Sequence, residues 1–273
     1  MTNTADNNIE SNQIGPILNL IEQDARNSPS LESLRTIEKN IWKWYSEMFP
    51  EPNQMNLELE DIKRSWQRTV FEQNHAAFLL EQQGFVESAV ANVRCAMEHA
   101  IHACYIDQDV NARDQIAKAA SKHLKGIRES IEGINNRELS DNSVSVLSTL
   151  LDGLLDNDEN TEGHVNSLKE ECERIENGGS SIYFCYRLLS GLMHPGLFSA
   201  SMQFFQVHAS TDSIDLFTPH SQFILRFGIG ACSWAGWSID ASRGVANFDD
   251  EFGKIARGLD FEPLHFVSAQ NLR

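Results

Sequence analysis

The sequence predicts a mainly α-helical protein, an antiparallel helical bundle with a small β-hairpin insertion near residues 201–218. Apolar residues recur at helical spacing over most of the chain. Glycine and proline interrupt this pattern where helices would end, for example at Gly84 and at Pro195-Gly196. Residues 201–218 break the helical pattern. Their apolar residues lie on both sides of the polar turn 210–213, which is typical of two short strands: Met202, Phe204, Val207, Ile214 and Leu216.

The order of elements follows from these signals. Ser30 is placed to cap a first long helix, which Pro50 stops. Gly84 separates two long amphipathic segments and predicts a helical hairpin. We expect helices over Ile14–Arg26, Leu31–Met48, Leu57–Gln82, Phe85–Ile106, Ala112–Ile131, Ser140–Leu155, Glu162–Glu176, Ile182–Met193, His220–Ile239 and Phe248–Leu259.

The chain divides by composition into four parts. Residues 1–12 are polar and predict a disordered tail, and residues 13–56 predict N-terminal helices. Residues 57–200 carry the long helices of the bundle. Residues 201–273 predict the β-hairpin and C-terminal helices that pack on the bundle, where small residues between Gly228 and Gly236 suit close helix packing.

Charge and cysteine content limit the function classes. The 273 residues carry a formal net charge of -17, which works against broad binding to DNA or to anionic membranes. A nucleic-acid function would need a local basic pocket. The five cysteines have no C-x-x-C spacing and predict reduced thiols in a cytoplasmic protein. The longest apolar stretch, 223–239, contains Arg226 and glycines and does not predict a membrane span.

A polar stripe lies on the otherwise apolar helix 182–193. At 100° per residue, Tyr183, Arg187, Ser190 and His194 fall within about 60° of one another. A helix that is apolar on its other sides is expected to be largely buried. Its polar stripe would then meet buried partners, a cleft or a second copy of the chain.

Two residues of this stripe carry chemistry that suits a phosphodiester. Arg187 is a permanent cation whose planar fork matches phosphate oxygens. His194 precedes Pro195 and therefore sits at a helix C-terminus, where unpaired carbonyls favour the protonated imidazole. A histidine that titrates near neutral pH is suited to proton transfer.

The preceding helix 85–106 has a related pattern. Arg94, Glu98 and His102 lie on one side at i, i+4 and i+8, with His99 beside them. One interpretation is an Arg94–Glu98 pair within the helix, next to hydrogen-bonded histidines. The other is that Glu98 faces Arg187 or His194 and orients it.

These segments resemble the HEPN domains (higher eukaryotes and prokaryotes nucleotide-binding). The segment 186–194, Y-R-L-L-S-G-L-M-H, is similar to their R-x(4–6)-H signature, in a form typical of a poorly characterised bacterial group. The helix containing 92–100 is similar to the earlier Arg/Glu-bearing helix of such bundles. The resemblance covers residues 57–195. Leu188 stands where active members usually carry a polar residue.

The resemblance implies a metal-independent endoribonuclease, a toxin or defence effector that works as a homodimer without a cofactor. Arg187 and His194 would be catalytic, with Tyr183, Ser190, Arg94, Glu98 and His102 as supporting residues. The expected partners are a second copy and RNA or a nucleotide, and neither DNA nor a membrane.

Two alternatives stay open at this point. The chain could be a non-catalytic helical module for dimerisation, nucleotide sensing or protein interaction, in which an internal carboxylate such as Glu98 neutralises Arg187. A metal-dependent hydrolase is disfavoured because no H-E-x-x-H motif occurs, and His99 with His102 lacks a clear further ligand.

Overall fold

The computed structural model describes residues 28–48, 59–109, 167–193 and 217–267, together with isolated positions 26, 112, 115, 118, 122, 125, 126 and 129. These residues are mainly helical, as the sequence predicts. The four continuous described ranges contain seven α-helices: α1 Leu31–Met48, α2 Leu59–Gln82, α3 Val86–Gln108, α4 Leu168–Glu173, α5 Gly179–Met193, α6 Phe217–Arg243 and α7 Lys254–Gly258. A π-helical turn, Asp249–Gly253, comes directly before α7.

Several predicted features fall outside the described residues. These are the tail at 1–12, the predicted helix 14–26 except for Arg26, the predicted helix 140–155, and the larger part of the β-hairpin, up to residue 216. The last two positions of the predicted hairpin, Phe217 and Thr218, are helical because α6 begins three residues before the expected start at His220. The described residues contain no β-strand, only an isolated antiparallel bridge between Ile175 and Phe266.

The chain forms two compact units, residues 1–108 with 172–273 and residues 109–171. In the second unit, Ser167 and Glu170 form a capping box: Glu170 Oε2 accepts from the Ser167 amide at 2.6 Å, and Ser167 Oγ accepts from the Glu170 amide at 3.3 Å. The isolated positions described between 112 and 129 are helical, where a helix is predicted. The four-part division drawn from composition stays a prediction.

The helical hairpin of α2 and α3 forms the centre of the first unit. Gly84 has a φ of +83°, a left-handed conformation that side chains disfavour, and it ends α2. The amide of Phe85 then donates to the carbonyl of Leu80 at 2.8 Å, which closes the turn. The sequence prediction of a hairpin at this glycine is confirmed.

Helix α6 is largely buried in this unit. The small residues of α6 allow close approach, as predicted, but aromatic rings as well as helices fill the space. A Cβ atom on Gly228 would lie 2.0 Å from the Asn74 amide oxygen of α2. A Cβ atom on Gly236 would meet the ring of Phe248, and one on Gly230 would meet the ring of Phe261, both at 2.3 Å.

Ser30 caps α1 as predicted, since its Oγ accepts from the amide of Ser33 at 3.2 Å.

Two polar contacts attach α1 to α2. Arg35 donates two hydrogen bonds to the buried carboxylate of Glu81, at 2.7 and 3.1 Å. The buried Glu38 carboxyl meets Nδ1 of His75 at 2.9 Å. Both contacts hold the same face of α1.

The segment after α7 returns to the start of the α5 region. The guanidinium of Arg174 donates to the hydroxyl of Tyr105 at 2.7 Å and to the carbonyl of Val267. The Glu176 amide donates to the carbonyl of His265 at 2.9 Å. In the part of the chain that the structure describes, no helix is both long and apolar enough to cross a bilayer.

Candidate site between helices α3 and α5

Helix α5 starts at two glycines that permit a close turn. Gly178 has a φ of +84°, and a Cβ atom on Gly179 would lie 1.9 Å from the carbonyl oxygen of Cys172. Any larger residue at position 179 would displace the start of α5. These glycines therefore fix the position from which α5 presents its side chains.

Tyr186 and Ser190 form the side of α5 that contacts α3. They are one helical turn apart, and both are buried. Ser190 Oγ donates to the carbonyl oxygen of Tyr186 at 2.9 Å within the helix. The same Oγ accepts from Nε of Arg94 on α3 at 2.8 Å. Ser190 therefore connects the two helices.

The hydroxyl of Tyr186 lies between a cation and a carboxylate of α3. It accepts a hydrogen bond from Nη2 of Arg94 and donates to Oε2 of Glu98 at 3.1 Å. Arg94 and Glu98 also form an i, i+4 ion pair with a 3.6 Å separation. We call these four residues, Arg94, Glu98, Tyr186 and Ser190, the α3–α5 polar cluster.

The electrostatics of the cluster keep Tyr186 protonated. Burial is the main cause of a raised pKa of the Tyr186 hydroxyl. The negative charge of Glu98 raises this pKa further, and the positive charge of Arg94 lowers it. A protonated hydroxyl can donate to Glu98 while it accepts from Arg94. The charges of Arg94 and Glu98 balance, so the cluster joins the helices without adding net charge.

Arg187 stands apart from the cluster. It follows Tyr186 directly, yet its side chain is exposed, and it makes no hydrogen bond or ion pair with another residue that the structure describes. The neighbouring Phe184 is also exposed, at 52%. The outer side of α5 thus presents a cation beside an aromatic ring.

The remaining predicted residues lie in different places. Tyr183 is half-buried, with its ring centre 6.2 Å from that of Tyr186. His102 is half-buried, and its ring centre lies 5.4 Å from that of Trp66 on α2. His194 lies outside the described residues. Of the seven predicted site residues, the structure therefore brings Arg94, Glu98 and Ser190 together.

Sequence reasoning missed two members of this region. Tyr186 was not among the predicted site residues, although it is the centre of the polar cluster. The sequence signal for Tyr186 is its position four residues before Ser190 on an apolar helix, which places both polar groups on one side. Trp66 contacts the rings of both His99 and His102, at 6.4 and 5.4 Å, and no pattern in the sequence indicated this contact.

Histidine and cysteine side chains near the cluster are occupied by local contacts. Nδ1 of His99 lies 2.8 Å from the carbonyl oxygen of Cys95, so this nitrogen carries the proton and donates it. Burial raises the pKa of the Cys95 thiol, with a smaller contribution from Glu98. No group of three or more His, Cys, Asp or Glu residues in the described ranges is arranged to hold a metal ion. None of the five cysteines forms a disulfide.

Comparisons with known proteins give no further guide. No protein-family model, no curated protein and no solved structure matches this chain.

Proposed function

We propose that this protein is a HEPN-like endoribonuclease that cleaves RNA without a metal ion, as a homodimer, with Arg187 and His194 as its catalytic residues. The observation that carries the proposal is the exposure of Arg187 on α5, with no described partner for its charge. A carboxylate of the same chain paired with Arg187 would have indicated a non-catalytic helical module. Glu98, the candidate for that role, instead contacts Arg94 and Tyr186.

One side of α5 attaches the helix to α3, and another side presents the cation of the proposed site. Tyr186 and Ser190 bind α3 and fix the rotation of α5 about its axis. Arg187 is then presented outward from a fixed helix. In a chain with a net charge of -17, phosphates are attracted only where a local cation is accessible. Arg187 supplies that cation.

The chemistry needs more than one copy of the helix. Residues seven apart on a helix are separated by roughly 10 Å along its axis. Arg187 and His194 of one chain are therefore too far apart to contact the same phosphate. A second α5 related by two-fold symmetry brings the Arg of one copy toward the His of the other. Phe184, exposed beside Arg187, supplies apolar surface for that contact.

The proposed reaction is an internal transfer at phosphorus. One His194 imidazole takes the proton of a ribose 2′-hydroxyl, whose oxygen then bonds to the adjacent phosphorus. The bond from phosphorus to the 5′-oxygen breaks, and a protonated imidazole, the partner's His194, returns a proton to that oxygen. The products are a 2′,3′-cyclic phosphate and a 5′-hydroxyl end. Arg187 stabilises the charge on the phosphate oxygens.

The test is RNA cleavage in the presence of a chelator. Wild-type protein should cleave single-stranded RNA and leave 2′,3′-cyclic phosphate ends, and the same sequence with 2′-deoxyribose at every position should stay intact. His194→Ala should reduce the rate by about 100-fold or more. Arg64→Ala, which removes an exposed cation of α2, is the matched control and should keep wild-type cleavage. Cleavage that survives in His194→Ala would remove the catalytic assignment.

A non-catalytic module for dimerisation, nucleotide sensing or protein interaction is the second candidate. The exposed Phe184 favours it, because an aromatic ring in water suits a protein interface. This candidate predicts that Phe184→Ser dissociates the dimer while no variant, and no wild-type preparation, cleaves RNA. The cleavage assay above therefore separates the two functions.

A further inference from the structure

A cavity of about 670 Å³ lies at the N-terminal end of α5. Its walls are the start of α5, the middle of α6 and the segment after α7. Helix α5 contributes Ser181, Ile182 and Cys185, whereas Tyr186 and Ser190 face α3. Cavities of this volume hold small organic molecules in other proteins.

The floor of the cavity is apolar and largely aromatic. Trp234 and Phe261 are buried and meet edge to face, with ring centres 5.8 Å apart. Phe227 meets Phe261 in the same way at 6.0 Å. Ile182 and Leu264 complete this surface. Such a floor favours a ligand with a flat apolar body.

Carboxylates dominate the charge around the cavity. Arg226 is the one arginine or lysine among its described lining residues, and its side chain is 14% exposed. Its Nη2 lies 3.3 Å from Oδ2 of Asp260, so that one carboxylate balances its charge. Glu262 lies 3.3 Å from Arg257, which also pairs with Asp249 at 2.7 Å.

The remaining carboxylate gives the cavity an excess of negative charge. Glu176 is an exposed lining residue, and its amide bonds to His265 in the segment after α7. Glu176, Asp260 and Glu262 together outnumber Arg226. Since the whole chain also carries a net charge of -17, the potential at the cavity mouth attracts cations and repels anions.

We infer that this cavity binds a small organic cation, a primary amine attached to a flat apolar body. The apolar body lies against Trp234 and Phe261, and the ammonium group lies at the rim near Glu176 and Glu262. Nucleotides and other phosphates are poor ligands here because the rim repels them. This site is independent of the proposed ribonuclease activity, and its test uses binding rather than cleavage.

Three indole compounds of one shape test the charge preference. Tryptamine is a cation, tryptophol is neutral and indole-3-acetate is an anion, so their apolar contacts with the cavity are closely matched. Titration calorimetry on the full chain should give the lowest Kd for tryptamine and a Kd at least about tenfold higher for indole-3-acetate. Added salt should weaken the binding of tryptamine and leave the binding of tryptophol unchanged.

Substitutions then locate the site. Glu176→Gln and Glu262→Gln should each weaken tryptamine by about two- to fivefold without affecting tryptophol. The matched control Glu173→Gln changes an exposed carboxylate that does not line the cavity, and it should leave both affinities unchanged. Ser181→Phe should block all binding, whereas Ser180→Phe, one residue away and outside the lining, should not.

Three results would overturn the inference. No heat of binding from tryptamine or tryptophol would mean that the cavity takes no such ligand. Equal affinity for the cation and the neutral compound would remove the role of the rim carboxylates. Tighter binding of indole-3-acetate would show that Arg226 sets the preference.

Discussion

Tyr186 and Arg187 are consecutive residues on α5, and their side chains lie in opposite environments. The Tyr186 hydroxyl is hydrogen-bonded between Arg94 and Glu98 of α3, whereas the Arg187 side chain is exposed. One residue binds the helix to the bundle, and the next is presented outward. The proposed site depends on this division, because a rigid helix positions a cation better than a mobile loop.

Removing the Tyr186 hydroxyl should loosen α5 from α3. Tyr186→Phe keeps the ring but loses the hydrogen bonds to Arg94 and Glu98. We expect the free energy of unfolding to fall by about 1–2 kcal/mol, since bonds to charged groups are stronger than neutral ones but this pair is partly exposed. Urea unfolding measures the change. Tyr183→Phe, on the neighbouring half-buried tyrosine, is the control and should change stability by less than about 0.5 kcal/mol.

The stability of the protein should depend on the protonation of Glu38. Burial raises the pKa of Glu38, which is 1% exposed, to about 8, and it lowers the pKa of His75. Between pH 4.5 and 8, the folded protein therefore keeps the Glu38 carboxyl protonated, whereas the unfolded chain has released this proton. Stability is therefore greatest below pH 4.5 on account of Glu38 and falls as pH rises toward 8.

His75 has the opposite effect on the free energy of unfolding, because burial lowers its pKa in the folded state. Its contribution to stability is lost as pH falls below the unfolded pKa of about 6.5. His220, whose pKa burial lowers to about 4, acts in the same direction as His75. Between pH 7 and 8 unfolded histidine is largely neutral, so the slope there reports mainly Glu38. There, wild-type stability should fall by up to about 1.4 kcal/mol per pH unit, and Glu38→Gln should remove the slope. Urea unfolding at several pH values tests this, and a slope that persists in Glu38→Gln would refute the assignment.

Close packing around α6 should make Gly236 intolerant of any side chain. A Cβ atom there would lie 2.3 Å from the ring of Phe248, which is fully buried and packs against the rings of Trp44 and Trp237. We expect Gly236→Ala to lower the free energy of unfolding by about 1–3 kcal/mol. Gly258→Ala is the matched control, since nothing lies within 4 Å of its Cβ position. That variant should be neutral or slightly more stable in thermal unfolding.

The sequence predicts the longer described helices well, but it does not predict the sides on which they meet. The bounds of α1 match the prediction, and Gly84 marked the hairpin, because caps and breakers act locally. The helical wheel placed Tyr183, Arg187 and Ser190 on one stripe. In the structure α3 lies against the Tyr186–Ser190 side, which leaves Arg187 in solvent. A wheel gives angles within one helix, and only the position of the neighbouring helix decides which angle is buried.

The predicted pair within α3 illustrates the same limit. Spacing predicted the Arg94–Glu98 contact, and the structure has it at 3.6 Å. Spacing could not predict that both residues also reach Tyr186, 92 and 88 positions away in the chain. Contacts at that separation depend on how α5 docks, which no local pattern encodes. The catalytic role of Arg187 and His194 stays a prediction.

The affinity of wild-type and Arg187→Ala protein for single-stranded RNA with 2′-O-methyl groups, which resists cleavage, tests the central claim most directly. Fluorescence anisotropy at several salt concentrations should show that Arg187→Ala weakens binding at least about fivefold and reduces the salt dependence by about one phosphate contact per site, while Arg64→Ala changes neither. Equal affinity and an equal salt slope for wild type and Arg187→Ala would contradict the claim that this exposed cation receives the RNA phosphate.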